Sequence, residues 1–133
     1  MGVTQITLLS VPVTDQEAAK SFYEKLGFEV VSDHEMRPEE MPPEPGLRWL
    51  QLGTPQGGCS IVLVTWDVGG MKPGMQQFSL AADDVAALHA ELAGQGVQSN
   101  GGLMEAPWGA FFSVNDPDGN HLLVVEHPAE AKD

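Results

Sequence analysis

Apolar residues in the first half of the chain fall into short runs, with one amphipathic stretch between them. The run at 5–13 ends at Thr14, and Thr14 and Glu17 have the spacing of a capping box, in which a hydroxyl and a carboxylate bond the free amides of a helix start. Gly27 suits a left-handed turn at the helix end. The pattern therefore predicts a strand, one helix and three further strands, at 28–33, 47–52 and 59–66.

The second half repeats this order. An apolar run at 75–82 precedes Asp83 and Asp84, two candidate helix caps, and an amphipathic helix that ends in Gly-Gln-Gly. An offset of 69 residues carries Gly27 onto Gly96, so the two helices end in the same way. Three more strands are predicted, near 102–105, at 109–115 and at 121–126.

This duplication predicts an α+β fold in which two tandem βαβββ modules form a single domain, 1–133. Module one covers 1–66, a Gly-rich linker 67–74, module two 75–127 and a flexible tail 128–133. The acidic, Pro-rich segment 33–46 is expected to lie outside the sheets, because proline cannot donate to a β-ladder. Both a mobile loop and a lid over a site are open interpretations of that segment.

Charge narrows the range of partners. Six Lys and Arg against nineteen Asp and Glu give a net charge of −13, which excludes nucleic acid and anionic membranes and favours a neutral or cationic small-molecule ligand. The single cysteine, Cys59, cannot form an internal disulfide and is expected to be a small buried residue. Since no signal peptide or membrane-spanning stretch is recognised, a cytoplasmic location is expected.

Two stretches, VPVTDQEAAKSFYEKLGFEV (11–30) and APWGAFFSVNDPDGNHLLVVE (106–126), resemble the vicinal oxygen chelate superfamily. That superfamily includes glyoxalase I, the bleomycin and fosfomycin resistance proteins and the extradiol dioxygenases. The resemblance implies that the curled mixed sheets of the two modules enclose a concave pocket. It also implies a homodimer, since members of this superfamily commonly pair.

In enzymes of that superfamily, up to four strands each supply one His, Glu or Gln ligand to a divalent metal. The resemblance carries these positions onto Leu8, Val62, Gln77 and Leu123. Leucine and valine have no lone pair to donate, and moving any position by one residue finds no His, Asp, Glu or Cys. We therefore expect no metal and no other cofactor.

Aromatic side chains are the better indication of ligand binding, because an indole ring offers a flat apolar surface for stacking. Strand parity places Trp66 with Val62, and Trp108 lies in the PWG segment before the last hairpin. On the third strand, either Arg48 or Trp49 faces the pocket, and the alternation alone does not decide between them. Each of these rings could equally fill a core.

Polar candidates lie on the first and last strands. Ser10 has the parity of the pocket positions, and His121 has that of Leu123 and could hydrogen bond a ligand or act as a base. Glu126 is expected to be exposed at the end of the chain. The predicted ligand-binding set is Leu8, Ser10, Val62, Trp66, Gln77, Trp108, His121 and Leu123.

This mostly apolar set favours a small-molecule-binding pocket over a metal centre. The resemblance to the superfamily then implies a metal-free binding protein of the bleomycin-resistance type, which sequesters a drug or a toxic metabolite. The alternative is an enzyme, namely a glyoxalase-like lyase or isomerase or a dioxygenase, with a non-standard or absent metal site. In that case His121 would supply acid and base chemistry. A third interpretation is an interaction module with a vestigial pocket. The sequence assigns no catalytic residue.

Overall fold

A computed structural model describes residues 1–37 and 46–126, and within these ranges the chain forms eight strands and two helices. The elements are β1 Leu8–Pro12, α1 Gln16–Lys25, β2 Glu29–Glu35, β3 Arg48–Gly53, β4 Ser60–Val64, β5 Gln77–Ala82, α2 Val85–Gly94, β6 Met104–Ala106, β7 Gly109–Asn115 and β8 His121–Glu126. Each helix has ten residues, and neither helix in the described ranges is long and apolar enough to cross a membrane.

The strands form two mixed sheets of the same topology, ordered β1-β4-β3-β2 and β5-β8-β7-β6. In each sheet the first and last strands of the module pair in parallel, and the other pairs are antiparallel. The predicted α+β fold of two tandem βαβββ modules is confirmed, with both sheets open. Most of the predicted segment 33–46 and the predicted tail 128–133 lie outside the described residues. Strand β2 extends through Glu35, which pairs with Arg48, so the loop begins later than predicted.

One hydrophobic core lies on the helix side of both sheets. Alternate residues of a strand point to opposite faces, and we call the face toward the helices the inner face and the opposite one the outer face. The inner faces and the helices share a single buried cluster across both modules, which removes apolar surface from water over the whole domain. Its members are Val11, Val13, Ala19, Phe22, Tyr23, Phe28, Leu50, Leu52, Ile61, Leu63, Val85, Leu92, Phe112, Val114, Leu122 and Val124.

The turn 116–120, between β7 and β8, joins the modules through buried polar groups, and we call it the latch. Asp116 and Asn120 are only 4% and 0% exposed. The Tyr23 hydroxyl of α1 donates to Asp116 Oδ2 at 2.8 Å, and Asn120 Nδ2 donates to the Pro12 carbonyl at 3.0 Å. Burial and the adjacent Asp116 carboxylate raise the pKa of the Tyr23 phenol well above its usual range. The latch therefore bonds β1 and α1 of module one to module two.

Asn120 also fixes the linker before β5. Its Oδ1 accepts from the backbone N–H groups of Gly74 and Gln76, each at 3.0 Å. Gly74 has a φ of 94°, and a Cβ there would lie 2.7 Å from the Asp118 carbonyl oxygen, so this position requires glycine. Gln76 Nε2 then donates to the Ser10 carbonyl of β1 at 2.8 Å. This bond ties the start of the second sheet to the end strand of the first.

The cap of α1 differs from the prediction. Asp15, and not Thr14, is the N-cap, because its Oδ1 accepts from Glu17 N at 3.0 Å and from Ala18 N at 3.1 Å. The Thr14 hydroxyl donates to Asp118 Oδ1 of the latch at 2.7 Å instead. The predicted capping box is wrong because a tertiary bond takes the hydroxyl that the local motif would use.

The cap of α2 is the predicted one, with an additional partner. Asp84 Oδ1 accepts from Ala87 N at 3.0 Å. The Glu126 carboxylate accepts from Val85 N at the helix start and from Ala110 N of the last hairpin, both at 3.2 Å. Glu126 is therefore half-buried and structural, and the expectation that it is exposed is wrong.

Candidate functional site

The outer face of module one carries a pair of stacked tryptophans. The rings of Trp49 and Trp66 are nearly parallel, with an interplanar angle of 23° and centroids 6.5 Å apart. Trp49 Nε1 donates to Gln51 Oε1 at 3.2 Å, which fixes the indole against its own strand. Gln51 is the β3 partner of Val62, so this pair belongs to the face that carries the predicted positions of module one.

Arg48 lies on the opposite side of β3 from Trp49, and this resolves the alternative left open by the sequence. Its guanidinium contacts Glu17 Oε2 at 2.7 Å and binds both oxygens of Asp33 at 2.8 Å. The bonds from Arg48 hold the pKa of the Asp33 carboxyl below its usual range. Arg48 thus joins α1 to β2 and β3 near the surface, and Trp49 is the residue that belongs to the candidate site.

The rest of module one's outer face is built by β1 and β4. Ser10 lies beside Val62 in the parallel register, and Leu8 lies beside Ser60. Leu8 and Ser10 are half-exposed, whereas Val62 is buried at 1% exposure. The four predicted residues of this module, Leu8, Ser10, Val62 and Trp66, are thereby placed on one face.

The outer face of module two consists of three cross-strand rows. The row at the latch end crosses β5, β8 and β7 and consists of Gln77, His121 and Asn115. The row at the hairpin end lies four residues further along β8, where Val125 pairs with Phe111. The middle row is Ser79, Leu123 and Ser113. Because the register places these side chains on one face, they form a continuous surface across three strands.

This face has a shallow cleft at one end and an aromatic patch at the other. The cleft has a volume of about 320 Å³ and is lined by Gln77, Phe78, Ser79, His121 and Leu123. At the other end, Trp108 stacks on Phe111, with centroids 5.1 Å apart and an interplanar angle of 23°. Trp108 is 61% exposed, so one large aromatic ring is available to solvent.

The predicted site residues therefore form two groups rather than a single lining. Gln77, His121 and Leu123 share the module-two cleft, and Trp108 joins their face through Phe111. The other four share the face of module one. Sequence reasoning missed Gln51, Phe111 and Asn115, although the two-residue period of strands β3 and β7 places them on the same faces as residues that it did select.

The four positions at which enzymes of the resembling superfamily bind a metal carry residues that are unsuited to bind a metal ion in this chain. Leu8, Val62 and Leu123 offer only hydrocarbon, and Gln77 offers one neutral amide. A dication held by a single amide would lack both the ligand number and the charge that compensate its desolvation. Across residues 1–37 and 46–126, no three His, Cys, Asp or Glu side chains come together as a metal-binding group.

Cys59 lies outside both outer-face groups. Its side chain is exposed, so the expectation of a small buried residue is wrong. The residue directly precedes β4 and follows the turn Thr54–Gly57, where the chain is at the surface. Its thiol donates to the Ser60 carbonyl at 3.5 Å, a weak local bond that gives it no role in the site.

The fold is that of a two-module protein whose sheets have open outer faces. These faces carry stacked aromatic pairs, and the four positions that bind a metal in enzymes of the resembling superfamily carry no set of metal ligands. The chain matches the Glyoxalase/Bleomycin resistance protein/Dioxygenase superfamily over residues 5–124, and it belongs to that superfamily.

Similar proteins of nearly the same length are known. TnmS3, an antibiotic binding protein from Streptomyces sp. CB03234 with a known crystal structure, is 38% identical in sequence to this chain. The two structures match with a TM-score of 0.78 over 95% of this chain and 98% of that one. A glyoxalase/bleomycin resistance protein from the same strain is 37% identical with a TM-score of 0.75, covering 91% and 99%. The uncharacterized protein YetH of Bacillus subtilis (strain 168) is 31% identical over 93% of this chain and 99% of its own.

Proposed function

We propose that this protein binds a small molecule without a metal, in the manner of bleomycin resistance proteins, and sequesters a drug or a toxic metabolite. One observation carries the proposal: both outer faces bear stacked aromatic pairs, Trp49 with Trp66 and Trp108 with Phe111, on sheets whose metal positions are aliphatic or amide. Such surfaces bind by stacking and burial and not by metal coordination. The similarity to TnmS3 supports a binding role.

The proposed ligand is neutral or cationic and partly aromatic. The net charge of −13 opposes an anion, and the exposed indole of Trp108 offers a stacking surface. The single cysteine and the absence of a disulfide framework fit a reducing compartment, and we place the protein in the cytoplasm.

We also propose a homodimer, the assembly that the resemblance to the superfamily implies. Val30 and Val31 of β2, an end strand of the first sheet, are 41% and 58% exposed, and a second copy of the chain would cover such apolar side chains. Light scattering after size-exclusion chromatography measures this directly. A mass of one chain across micromolar concentrations would contradict the dimer.

The binding proposal is tested by thermal shift and calorimetry against a panel of antibiotics, including bleomycin, each with and without Zn²⁺, Mn²⁺ and Ni²⁺. We expect at least one aromatic compound to raise the melting temperature equally with and without metal. Trp49→Ala and Trp108→Ala should weaken that binding. Val3→Ala should not, since Val3 is 96% exposed and lies before β1.

Metal content provides the second readout. Protein purified without chelator should carry well under one equivalent of Zn, Ni, Mn or Fe. About one bound equivalent that is lost in Gln77→Ala or His121→Ala would overturn the metal-free proposal.

The second candidate function is metal-free acid and base catalysis, which the position of His121 beside Gln77 in the cleft favours. Mass spectrometry of the compound recovered from the complex distinguishes the two functions. A sequestering protein returns its ligand unchanged, whereas an enzyme returns a product that His121→Leu fails to form.

A further inference from the structure

Side chains on the outer face of module two change character along the strands. At the latch end, His121 lies between Gln77 and Asn115, and all three side chains carry groups that can donate or accept a hydrogen bond. At the hairpin end, Val125 pairs with Phe111 on the same face. The surface is therefore polar at one end and apolar at the other.

The polar end is held in place by a further asparagine. Asn100 Nδ2 donates to Asn115 Oδ1 and to Ser113 Oγ, both at 3.2 Å, and Asn100 N donates to the Ser113 carbonyl at 2.8 Å. Because the oxygen of Asn115 is directed at Asn100, its Nδ2 group points away and can donate to another acceptor. His121 is half-buried beside it, so its ring has a defined place and still reaches the cleft.

The apolar end is built for contact with a ring. Trp108 rests on Phe111 through one ring face and is 61% exposed overall, while Met104, opposite Phe111 on β6, is 46% exposed. A thioether beside an exposed indole is a polarizable surface that adapts to a flat aromatic molecule. The stacking on Phe111 restrains the indole, which lowers the entropy lost when a ligand covers it.

The separation of the two ends sets the length of the ligand. His121 and Val125 are four residues apart on β8, which is about 13 Å at a strand rise of roughly 3.3 Å per residue. A molecule that reaches both ends has an aromatic part at Trp108 and a hydrogen-bonding group at the far end of the same face.

We infer that the ligand is an uncharged, elongated aromatic compound with a hydroxyl or carbonyl group at one end, and that it binds in one orientation. Its ring system lies on Trp108 and Phe111, and its polar group bonds His121 and Gln77. This inference rests on the proposed binding function and adds the ligand class and the residues that determine specificity. The net charge of −13 opposes an anionic polar group such as a carboxylate or phosphate, and a hydroxyl or carbonyl can bond the uncharged amide of Gln77.

Two matched probes test the orientation, 4-hydroxy-para-terphenyl and 4-methyl-para-terphenyl, which are long enough to reach both ends, share one ring system and differ in one terminal group. Calorimetry should show 4-hydroxy-para-terphenyl binding about 5- to 10-fold more tightly to the wild type, which is the size of one net hydrogen bond. His121→Leu should remove this preference while the affinity for 4-methyl-para-terphenyl stays within about twofold. Gln77→Leu on the neighbouring strand provides an independent variant if His121→Leu is poorly folded.

The aromatic end is tested in the same titrations. Trp108→Ala should lower the affinity for both probes by a similar factor, about 5- to 10-fold, since both lose the same stacking surface. Val3→Ala is the matched control and should change neither affinity. Each variant is also measured by light scattering, so that an effect on assembly is separated from an effect on binding.

Each of the following outcomes would overturn the inference. Equal affinity of the two probes for the wild type, or a preference for 4-hydroxy-para-terphenyl that survives in both His121→Leu and Gln77→Leu, excludes the polar end. A Trp108→Ala variant that loses its partner subunit but keeps both affinities makes the aromatic patch a subunit interface. If neither probe binds while the antibiotic panel yields a ligand, this inference fails and the proposed function stands; if the panel is also silent, both fail.

Discussion

The inner and outer faces of the two sheets differ in the exposure of their polar side chains. On the inner side, the latch buries Asp116 and Asn120, and within the described ranges every buried side-chain nitrogen or oxygen has a hydrogen-bond partner. On the outer side, Gln77 and Trp108 are exposed, and His121 is half-buried. Buried polar groups without partners would be costly, so complete pairing inside is a condition of stability.

This difference separates folding from binding in one small domain. Substitutions at the latch should reduce the free energy of unfolding, because they leave buried donors and acceptors unpaired. Substitutions of exposed outer-face side chains such as Gln77 and Trp108 should change affinity with little effect on stability, since those side chains already contact water. We expect the largest loss of stability at Asn120 of the latch and the smallest at Trp108 of the outer face.

The latch asparagine should give the largest loss. Asn120→Ala removes four side-chain hydrogen bonds, to the backbone of Pro12, Gly74 and Gln76 and to the carboxylate of Asp116. We expect the free energy of unfolding to fall by about 3–5 kcal/mol in urea titrations, because several buried groups lose their partners together.

A matched asparagine serves as the control for that change. Asn100 is exposed, and its side chain bonds Ser113 and Asn115 of β7 in its own module, so Asn100→Ala should cost less than about 1 kcal/mol. Equal losses in the two variants would show that the latch is no more important for stability than a surface contact.

The second prediction concerns Tyr23, the only tyrosine in the sequence, and it has a pH dependence. Burial beside Asp116 raises the pKa of its phenol, so the folded protein keeps this proton at a pH where the unfolded chain has lost it. The contribution is fully present below the unfolded pKa of about 10 and declines as the pH rises above it. Wild-type stability should therefore fall with increasing pH from about pH 10 upward.

Tyr23→Phe isolates this effect. At pH 7 the variant should lose about 1–2 kcal/mol, because Asp116 loses one buried donor and keeps its bonds from Asn120. Above pH 10 the difference between variant and wild type should shrink. A constant difference from pH 7 to pH 11, measured by chemical denaturation, would show that ionisation of Tyr23 is not coupled to unfolding.

Much of the fold could be predicted from the sequence, because its signals are local. Period-two strands, Asp84 as a helix cap and the glycines after each helix are read within a few residues, and the 69-residue repeat fixes their order. The latch could not be predicted in this way. Thr14 and Asp118 are 104 positions apart, and the local spacing of Thr14 and Glu17 indicated a different bond for the same hydroxyl.

The sequence could predict the candidate site only to the extent that strand alternation shows which residues of one strand share a face. Parity selected His121 with Leu123, but it could not decide between Arg48 and Trp49, since either order satisfies alternation. The choice depends on Asp33 and Glu17, whose carboxylates hold Arg48 on the helix side.

The smallest expected effect on stability belongs to the most exposed aromatic ring of the last hairpin. Trp108→Ala should change the free energy of unfolding by no more than about 0.5 kcal/mol, because Trp108 is 61% exposed and its main partner, Phe111, remains packed on β7. Urea denaturation of the unliganded protein at a fixed concentration measures this. A loss above about 1.5 kcal/mol would show that Trp108 contributes to the stability of the fold. The proposed division, in which the inner faces stabilise the fold and exposed outer-face side chains bind ligand, would then fail at Trp108, the residue on which the binding proposal depends most.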